Sequence, residues 1–200
     1  SNEGGAFVAR LSYVDDTISP IWVRQIANEF RIEGFDLAIS EDGSSITSGI
    51  LFSNDLVIED VAISAGEFNS LGIITYDQNG NLEWINQIDS VEAIEPFGGL
   101  CYSNSGHLNV VGTFLDTVII GFPEFSNGGS DIFVAQLDSF GNTIWNAFGG
   151  STGDDWATDC AVDSTGNVYI TGQFEGTAQF GSINATSNGW WDMFIAKLDA

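Results

Sequence analysis

The hydrophobic positions of this chain occur in short runs separated by turn-forming residues. Segments such as "DIFVAQLD" (131–138) and "NVYITGQF" (167–174) are rich in valine, isoleucine, phenylalanine and tyrosine, and glycine, asparagine, aspartate or serine flank them. This composition is typical of β-strands joined by tight turns. No segment of helix length has an apolar period of 3.6 residues, so the pattern predicts an all-β protein.

The strand pattern repeats along the chain. "VDSTGNVYITGQF" (162–174) has relatives in "YSNSGHLNVVGTF" (102–114) and "ISEDGSSITSGILF" (39–52). A second block, "SDIFVAQLDSFGNTIW" (130–145), has a relative in "SLGIITYDQNGNLEW" (70–84). The repeating unit is about 61 residues long, which indicates stacked β units of one kind. We expect the tryptophans that recur with this period to occupy equivalent places: Trp22, Trp84 and Trp145.

Each unit is predicted to form one antiparallel sheet of four strands, A to D. In chain order the strands read C-D, A-B-C-D, A-B-C-D and A-B-C, which amounts to a little over three units. The predicted fold is a β-propeller-type array of about three four-stranded blades. The chain is then one repeat domain, divided into a partial blade, two blades and a second partial blade at residues 1–27, 28–88, 89–149 and 150–200.

The repeat resembles the bacterial SBBP-type β-propeller repeat. That family has the pattern D-x-F-V-A-K-L-D-x-x-G-N-x-x-W, followed by G-G and by A-V-D-x-x-G-N-x-Y-x-T-G. The match is close over residues 126–200, fair over 66–125 and weaker over 1–65, where "SYVDDTISPIW" replaces the G-N turn. The resemblance implies a propeller fold and a secreted or cell-surface location. It implies no shared catalytic residues and no common ligand.

Composition limits the partners and the location. The chain has 28 acidic and 4 basic residues and a formal net charge of −24, which disfavours nucleic acid and anionic lipid as partners. No apolar stretch approaches the roughly 20 residues of a membrane-spanning helix. We therefore predict neither a nucleic-acid partner nor a membrane span.

Catalytic chemistry has little support in the sequence. The one histidine, His107, takes the place of Asn167 in the neighbouring unit, which indicates a turn residue. Asp77, Asp138 and Asp199 recur at the end of strand C, and acidic residues recur at its start, at Asp131 and Asp192. Recurrence in register predicts that these carboxylates accept hydrogen bonds from turn N–H groups. We expect no enzyme activity and no cofactor, with calcium at the turns as the alternative.

Two sets of residues are candidates for contacts between copies or between units. A joint between copies is predicted near the N-terminal strands and around the last strand, with these residues: Phe7, Arg10, Trp22, Arg24, Arg31, Trp190, Trp191 and Phe194. Trp190 and Trp191 are not part of the repeat, and the alternatives for them are intramolecular cover and stacking on a glycan. Cys101 and Cys160 point to opposite faces of equivalent strands, so they either face each other between units or face apart. Because stacked sheets lie about 10 Å apart, we expect free thiols.

The function predicted from these features is that of a non-enzymatic, extracellular or cell-surface module with a structural or adhesive role. Its partner is predicted to be a second copy, through strand or blade complementation head to tail into a ring or filament, or else neighbouring repeats of a longer chain. The alternative is a carbohydrate-binding or carbohydrate-active propeller domain that uses its aromatic or acidic residues.

Overall fold

The structure is a computed structural model that describes residues 4–28, 32–65 and 68–199. These residues form nineteen strands and no helix, and all paired strands are antiparallel, so the predicted all-β class is confirmed. The same residues include no helix that is long and apolar enough to cross a membrane.

The strands are short, as their turn-flanked sequences predict. In chain order they are β1 (Gly4–Val14), β2 (Thr17–Asn28), β3 (Ile32–Ile39), β4 (Ser45–Phe52), β5 (Asp55–Ile58), β6 (Val61–Ser64), β7 (Ser70–Asp77), β8 (Leu82–Ser90), β9 (Ala93–Tyr102), β10 (Leu108–Leu115), β11 (Thr117–Ile120), β12 (Phe122–Phe125), β13 (Asp131–Leu137), β14 (Thr143–Gly150), β15 (Trp156–Val162), β16 (Val168–Phe174), β17 (Thr177–Phe180), β18 (Ile183–Thr186) and β19 (Asp192–Leu198).

The repeating unit is visible in the sheet topology. Strands β3, β4, β7 and β8 are hydrogen-bonded in that order and form the first sheet, and β9, β10, β13 and β14 form the second sheet in the same way. The last sheet contains β15, β16 and β19, and a first hairpin, β1–β2, precedes all three. The described residues do not form a closed propeller.

A small hairpin follows the second strand of each sheet and joins that sheet to the one before it. Strand β11 of hairpin β11–β12 pairs with β8, with Val118 opposite Ser90, and β17 of hairpin β17–β18 pairs with β14, with Phe180 opposite Gly149. Strand β5 of hairpin β5–β6 lies close to β2, but the two strands are not paired. These linking hairpins extend the first and second sheets to six strands each, and sequence reasoning did not predict them.

The hydrophobic core lies in three layers between successive sheets. The first layer contains Trp22 and Ile26 of the first hairpin together with Ile50 and Phe52 of the first sheet. The second lies between the first and second sheets, and the third lies between the second and last sheets. Both faces of the inner sheets are therefore buried, which explains why their strands read as continuous apolar runs.

The recurring aspartates stabilise the tight turns. Asp77 Oδ1 accepts hydrogen bonds from the backbone N–H groups of Asn79 and Asn81. One unit later, Asp138 Oδ1 accepts those of Phe140 and Asn142. At the start of strand C, Asp131 and Asp192 each accept the N–H of an asparagine four residues earlier. The predicted structural role of these four carboxylates is confirmed, whereas Asp199 forms an ion pair with Lys197.

His107 also lies in a turn, as predicted. Its N–H donates to Ser103 Oγ at 3.1 Å and its carbonyl accepts the N–H of Ser103 at 2.9 Å. Asn167 makes the same two kinds of contact with Asp163 in the next unit. Replacement of one turn residue by another accounts for this histidine.

Candidate interface surfaces

One end of the stack exposes an apolar surface on the first hairpin. This first-hairpin face consists of side chains that alternate along β1 or lie opposite them on β2: Phe7, Ala9, Leu11, Tyr13, Ile18 and Val23. Phe7 is 71% exposed and Leu11 is 55% exposed. Exposed apolar side chains that adjoin one another on a single sheet face are typical of a binding surface.

The opposite end of the stack exposes a second apolar surface on the last sheet. This last-sheet face consists of side chains that lie opposite one another on β16 and β19: Tyr169, Thr171, Gln173, Met193, Ile195 and Lys197. Met193 is 68% exposed and Ile195 is 72% exposed. The corresponding residues of the second sheet, Ile132 and Val134, are almost completely buried because the last sheet covers them.

Three of the predicted interface residues are instead used inside the chain. Trp22 is buried, and its Nε1 donates to the carbonyl of Gln78 at 3.0 Å. Arg10 donates to the same carbonyl at 2.7 Å, and Arg24 Nε donates to the carbonyl of Gly80 at 2.6 Å. All three therefore hold the first hairpin against the β7–β8 turn of the first sheet, which differs from the predicted joint between copies.

The same arrangement recurs one unit later with a different polar residue. The ring of Trp84 lies against Gly141, in the β13–β14 turn, as the ring of Trp22 lies against Gly80. Asn86 donates to the Gly141 carbonyl in the place of Arg24. Both glycines have φ of 81°, and a Cβ at either would lie 2.7 Å from the indole, so the backbone and the ring both require glycine.

Trp145, the third member of the series, has a different environment. Its Nε1 donates to Gln136 Oε1 at 3.0 Å and its ring packs at the edge of the third core layer. Equivalent places are thus found for Trp22 and Trp84, and Trp145 departs from them. No described residue supplies a turn glycine to Trp145.

The remaining predicted interface residues differ in exposure. Phe194 is buried in the third core layer, with its ring 4.7 Å from that of Phe180. Arg31 lies outside the described residues. Trp190 is 80% exposed, so it is available to a partner. Among the predicted positions that the structure describes, Phe7, Arg10, Trp190 and Trp191 are exposed, and of these Arg10 is already bonded to Gln78.

Trp191 belongs to a row of aromatic rings at the rim of the last-sheet face. Its ring centroid lies 5.0 Å from that of Trp156, which in turn lies 5.6 Å from that of Phe97 on the second sheet. Phe97 and Trp191 remain about half exposed, so the row is accessible. Sequence reasoning did not single out Phe97 or Trp156, although aromatic residues recur at this place in the units, at Phe35, Phe97 and Trp156.

An apolar groove follows the outer edge of β19. Within the described residues β19 pairs with β16 alone, which leaves its other edge without a strand partner. The groove beside this edge has a volume of about 610 Å³, and its walls include Val134 and Phe148 of the second sheet and Ile183 of a linking hairpin. An extended segment paired with β19 would fill it in the way that β14 covers β13.

Cys101 and Cys160 form a disulfide between β9 and β15, and no described cysteine is free. The expectation of free thiols was wrong. It used the mean spacing of stacked sheets, whereas these two edge strands approach to a Cα–Cα distance of 6.0 Å, which is within the range that a disulfide requires. Because sheets twist, adjacent sheets are not equally far apart everywhere.

The described residues contain no group of three or more histidine, cysteine, aspartate or glutamate side chains arranged to hold a metal ion. Comparison with known proteins adds no relative: the chain matches no protein-family model, and no curated protein is significantly similar to it. The resemblance to the SBBP-type repeat therefore rests on the sequence motifs alone.

Proposed function

We propose that this protein is a non-enzymatic extracellular structural or adhesive module of the β-propeller type, and that copies of it associate head to tail. In this arrangement the last-sheet face of one copy packs on the first-hairpin face of the next. A single observation carries the proposal. The sequence "FVARL" at residues 7–11 matches "FVAQL" at 133–137, whose phenylalanine, alanine and leucine are fully buried against the preceding sheet.

The two end faces correspond to the two sides of an internal junction. Phe7 and Leu11 are equivalent to Phe133 and Leu137, which pack the second sheet against the first sheet. Met193 and Ile195 are equivalent to Ile132 and Val134, which pack the second sheet against the last sheet. Burial of a large apolar side chain contributes roughly 1.5–3 kcal/mol, so a few such residues on each face supply a substantial driving force. Because the two faces differ, repeated contacts give a ring or an open filament.

Packing of whole faces accounts for the observations better than donation of β2 by itself. Strand β2 is paired along its length with β1, and Trp22 and Arg24 attach it to the first sheet. Its removal would uncover the first core layer. The open edge of β19 and the groove beside it are still available to a strand, so pairing of edges can accompany packing of faces.

The disulfide and the acidic surface support an extracellular location. Structural disulfides persist in oxidising compartments and are rare in the cytosol.

A net charge of −24 keeps separate molecules soluble through mutual repulsion, so the apolar end faces must supply the attraction. Association is therefore expected to strengthen at high ionic strength, where this repulsion is screened.

Multi-angle light scattering across a concentration series tests the proposal. Wild-type protein is expected to increase in mass with concentration, and a double variant, Phe7→Ser with Leu11→Ser, is expected to stay monomeric. The matched control is Phe140→Ser, since Phe140 is 78% exposed but lies in a turn away from both end faces. A compact monomer of 21.4 kDa at millimolar concentration and high salt would contradict self-association.

The aromatic row supports carbohydrate binding as a second candidate function. Three rings in series at the rim of an exposed sheet, with Trp190 beside them, form a surface on which sugar rings can stack. A glycan array with wild type, Trp191→Ala and the control Phe140→Ala separates this function from the first. Binding that disappears only with Trp191→Ala would support it, and an array without signal would count against it.

A further inference from the structure

Two aspartates are buried side by side at the junction between the second and last sheets. Asp131 at the start of β13 is 2% exposed, and Asp155, immediately before β15, has no exposed surface. Their carboxylates both approach Gly150: a Cβ at this glycine would collide with Asp131 Oδ1 and would lie 3.1 Å from Asp155 Oδ2. The backbone at Gly150 therefore lies against both negative groups.

The hydrogen bonds of this pair leave one oxygen without a partner. Asp155 accepts the N–H groups of Ser151 and Glu175, one on each oxygen, and Asp131 Oδ2 accepts the N–H of Asn127. Asp131 Oδ1 is buried and accepts no hydrogen bond from any described residue. Buried acceptors of this kind are rare in native proteins, and a bound ion is one of the groups that satisfy them.

No described basic side chain compensates the two charges. Arg10 and Arg24 bond to the β7–β8 turn of the first sheet, and Lys197 pairs with Asp199. Asp154, whose charge acts on Asp155, is itself acidic. Burial, with a smaller contribution from the charge of Asp155, raises the pKa of Asp131 to about 6. Two buried acidic side chains therefore lie together with no described cation to balance them.

We propose that Asp131 and Asp155 bind one calcium ion between the second and last sheets, with Asp131 Oδ1 as a ligand. Calcium accepts carboxylate oxygens, backbone carbonyls and water in a flexible shell, so two carboxylates can be completed by main-chain oxygens and solvent. The backbone N–H groups already fix both side chains, which lowers the entropy lost on binding. The ion would stabilise the junction that the disulfide also crosses.

The last unit offers a matched control for this site. Asp192 accepts the N–H of Asn188 at 2.8 Å, as Asp131 accepts that of Asn127 at the same distance, and it occupies the same place in the repeat. Asp192 is partly exposed, and no described aspartate takes the place of Asp155 beside it. Asp192→Asn thus changes the same turn contact without changing the proposed site.

The test uses full-length protein freed of metal with EDTA and dialysed into buffer of constant ionic strength at pH 7.5. Addition of 1 mM calcium chloride is expected to raise Tm by about 5 °C in wild type and in Asp192→Asn, and to have no such effect in Asp131→Asn. Titration calorimetry is expected to give one calcium ion per chain, lost in Asp131→Asn, with magnesium chloride as the control for screening of the acidic surface.

Three results would overturn the proposal. The first is equal stabilisation of all three proteins by calcium, which would indicate general screening of the acidic surface. The second is equal stabilisation by magnesium and calcium. The third is a metal-free wild type that gains stability at pH 5 and does not respond to calcium, which would indicate that the two carboxylates share a proton. If Asp131→Asn does not fold, calorimetry with Asp155→Asn decides in the same way.

Discussion

Phe7 and Leu11 on the first hairpin, and Phe133 and Leu137 in the second sheet, occupy the same positions of the same short sequence but have opposite exposure. The second pair is fully buried in a core layer, and the first pair is largely exposed. Strand pairing does not explain the contrast, because β1 and β13 each alternate their side chains in the same way. The difference lies in the neighbour: the first sheet covers one pair, and no described residue covers the other.

This contrast shows that the alternation of apolar residues is a property of each strand, whereas their burial depends on the neighbouring sheets. The alternation of residues within the repeat specifies two apolar faces for every sheet, wherever the sheet lies in the stack. Only a sheet with neighbours on both sides buries both faces. The proposed association uses these two end faces, and its packing is expected to resemble that of the inner junctions.

The largest expected effect comes from truncating the two phenylalanines separately. Phe133→Ala is expected to lower the free energy of unfolding by about 3–5 kcal/mol, since it leaves a cavity in a packed layer. Phe7→Ala is expected to change it by less than about 0.5 kcal/mol in dilute solution. Urea denaturation followed by tryptophan fluorescence measures both, and equal losses would mean that Phe7 is already buried under those conditions.

The second prediction compares two junctions that use different cross-links. At the junction of β3 with β9, the N–H of Leu100 donates to Asp36 Oδ2 at 2.7 Å, whereas β9 and β15 are joined by the disulfide. Because the disulfide closes a loop with a sequence separation of 59, Cys101→Ser with Cys160→Ser is expected to destabilise the protein by about 2–4 kcal/mol. Asp36→Asn is expected to cost about 1–2 kcal/mol. Denaturation under non-reducing conditions measures both, and a serine variant as stable as wild type would show that the disulfide does not form.

The sequence was sufficient for the features that depend on local chemistry. Gly-Asn turns, the aspartates that accept their N–H groups and the strands of the second and last sheets all follow from residues close together in the chain. The linking hairpins were missed because each strand has four residues, although the apolar residues that follow Phe52, Phe114 and Phe174 at a spacing of six were a usable signal.

Features that depend on the distance between sheets could not be predicted from the repeat alone. Recurrence identified Trp22 as part of the unit but not the turn that it contacts, so its inward orientation was missed. The disulfide was missed because a mean sheet spacing says little about one pair of strands. The contact of Phe97 with Trp156 was missed because it joins two units, and a repeat pattern does not show which residues of neighbouring units meet.

The third prediction concerns turn glycines of equal conformation. Gly141 and Gly106 both have φ of 81°, but a Cβ at Gly141 would collide with the ring of Trp84, and a Cβ at Gly106 would meet nothing within 4 Å. Gly106→Ala is expected to cost about 1 kcal/mol for the backbone alone. Gly141→Ala is expected to cost about 2–3 kcal/mol, since the indole must also move. Chemical denaturation measures the difference, and equal costs would mean that the contact of Trp84 with the next turn contributes little.

The smallest effect is expected at the exposed turns, which contrast with the buried junctions. Asp42 accepts hydrogen bonds from the N–H of Ser44 and from the hydroxyls of Ser40 and Ser44, and these lower its pKa to about 2. A carboxyl group with a lowered folded-state pKa stabilises the protein above its unfolded value of 3.8, and this contribution is lost as the pH falls toward 2. Asp42→Asn is therefore expected to lower Tm slightly at pH 5 and to have no effect near pH 2. The control is Glu41→Gln, which removes the neighbouring charge and leaves these hydrogen bonds unchanged. If the Tm difference between Glu41→Gln and wild type shrinks over the same pH range, the effect is due to net charge and not to the turn.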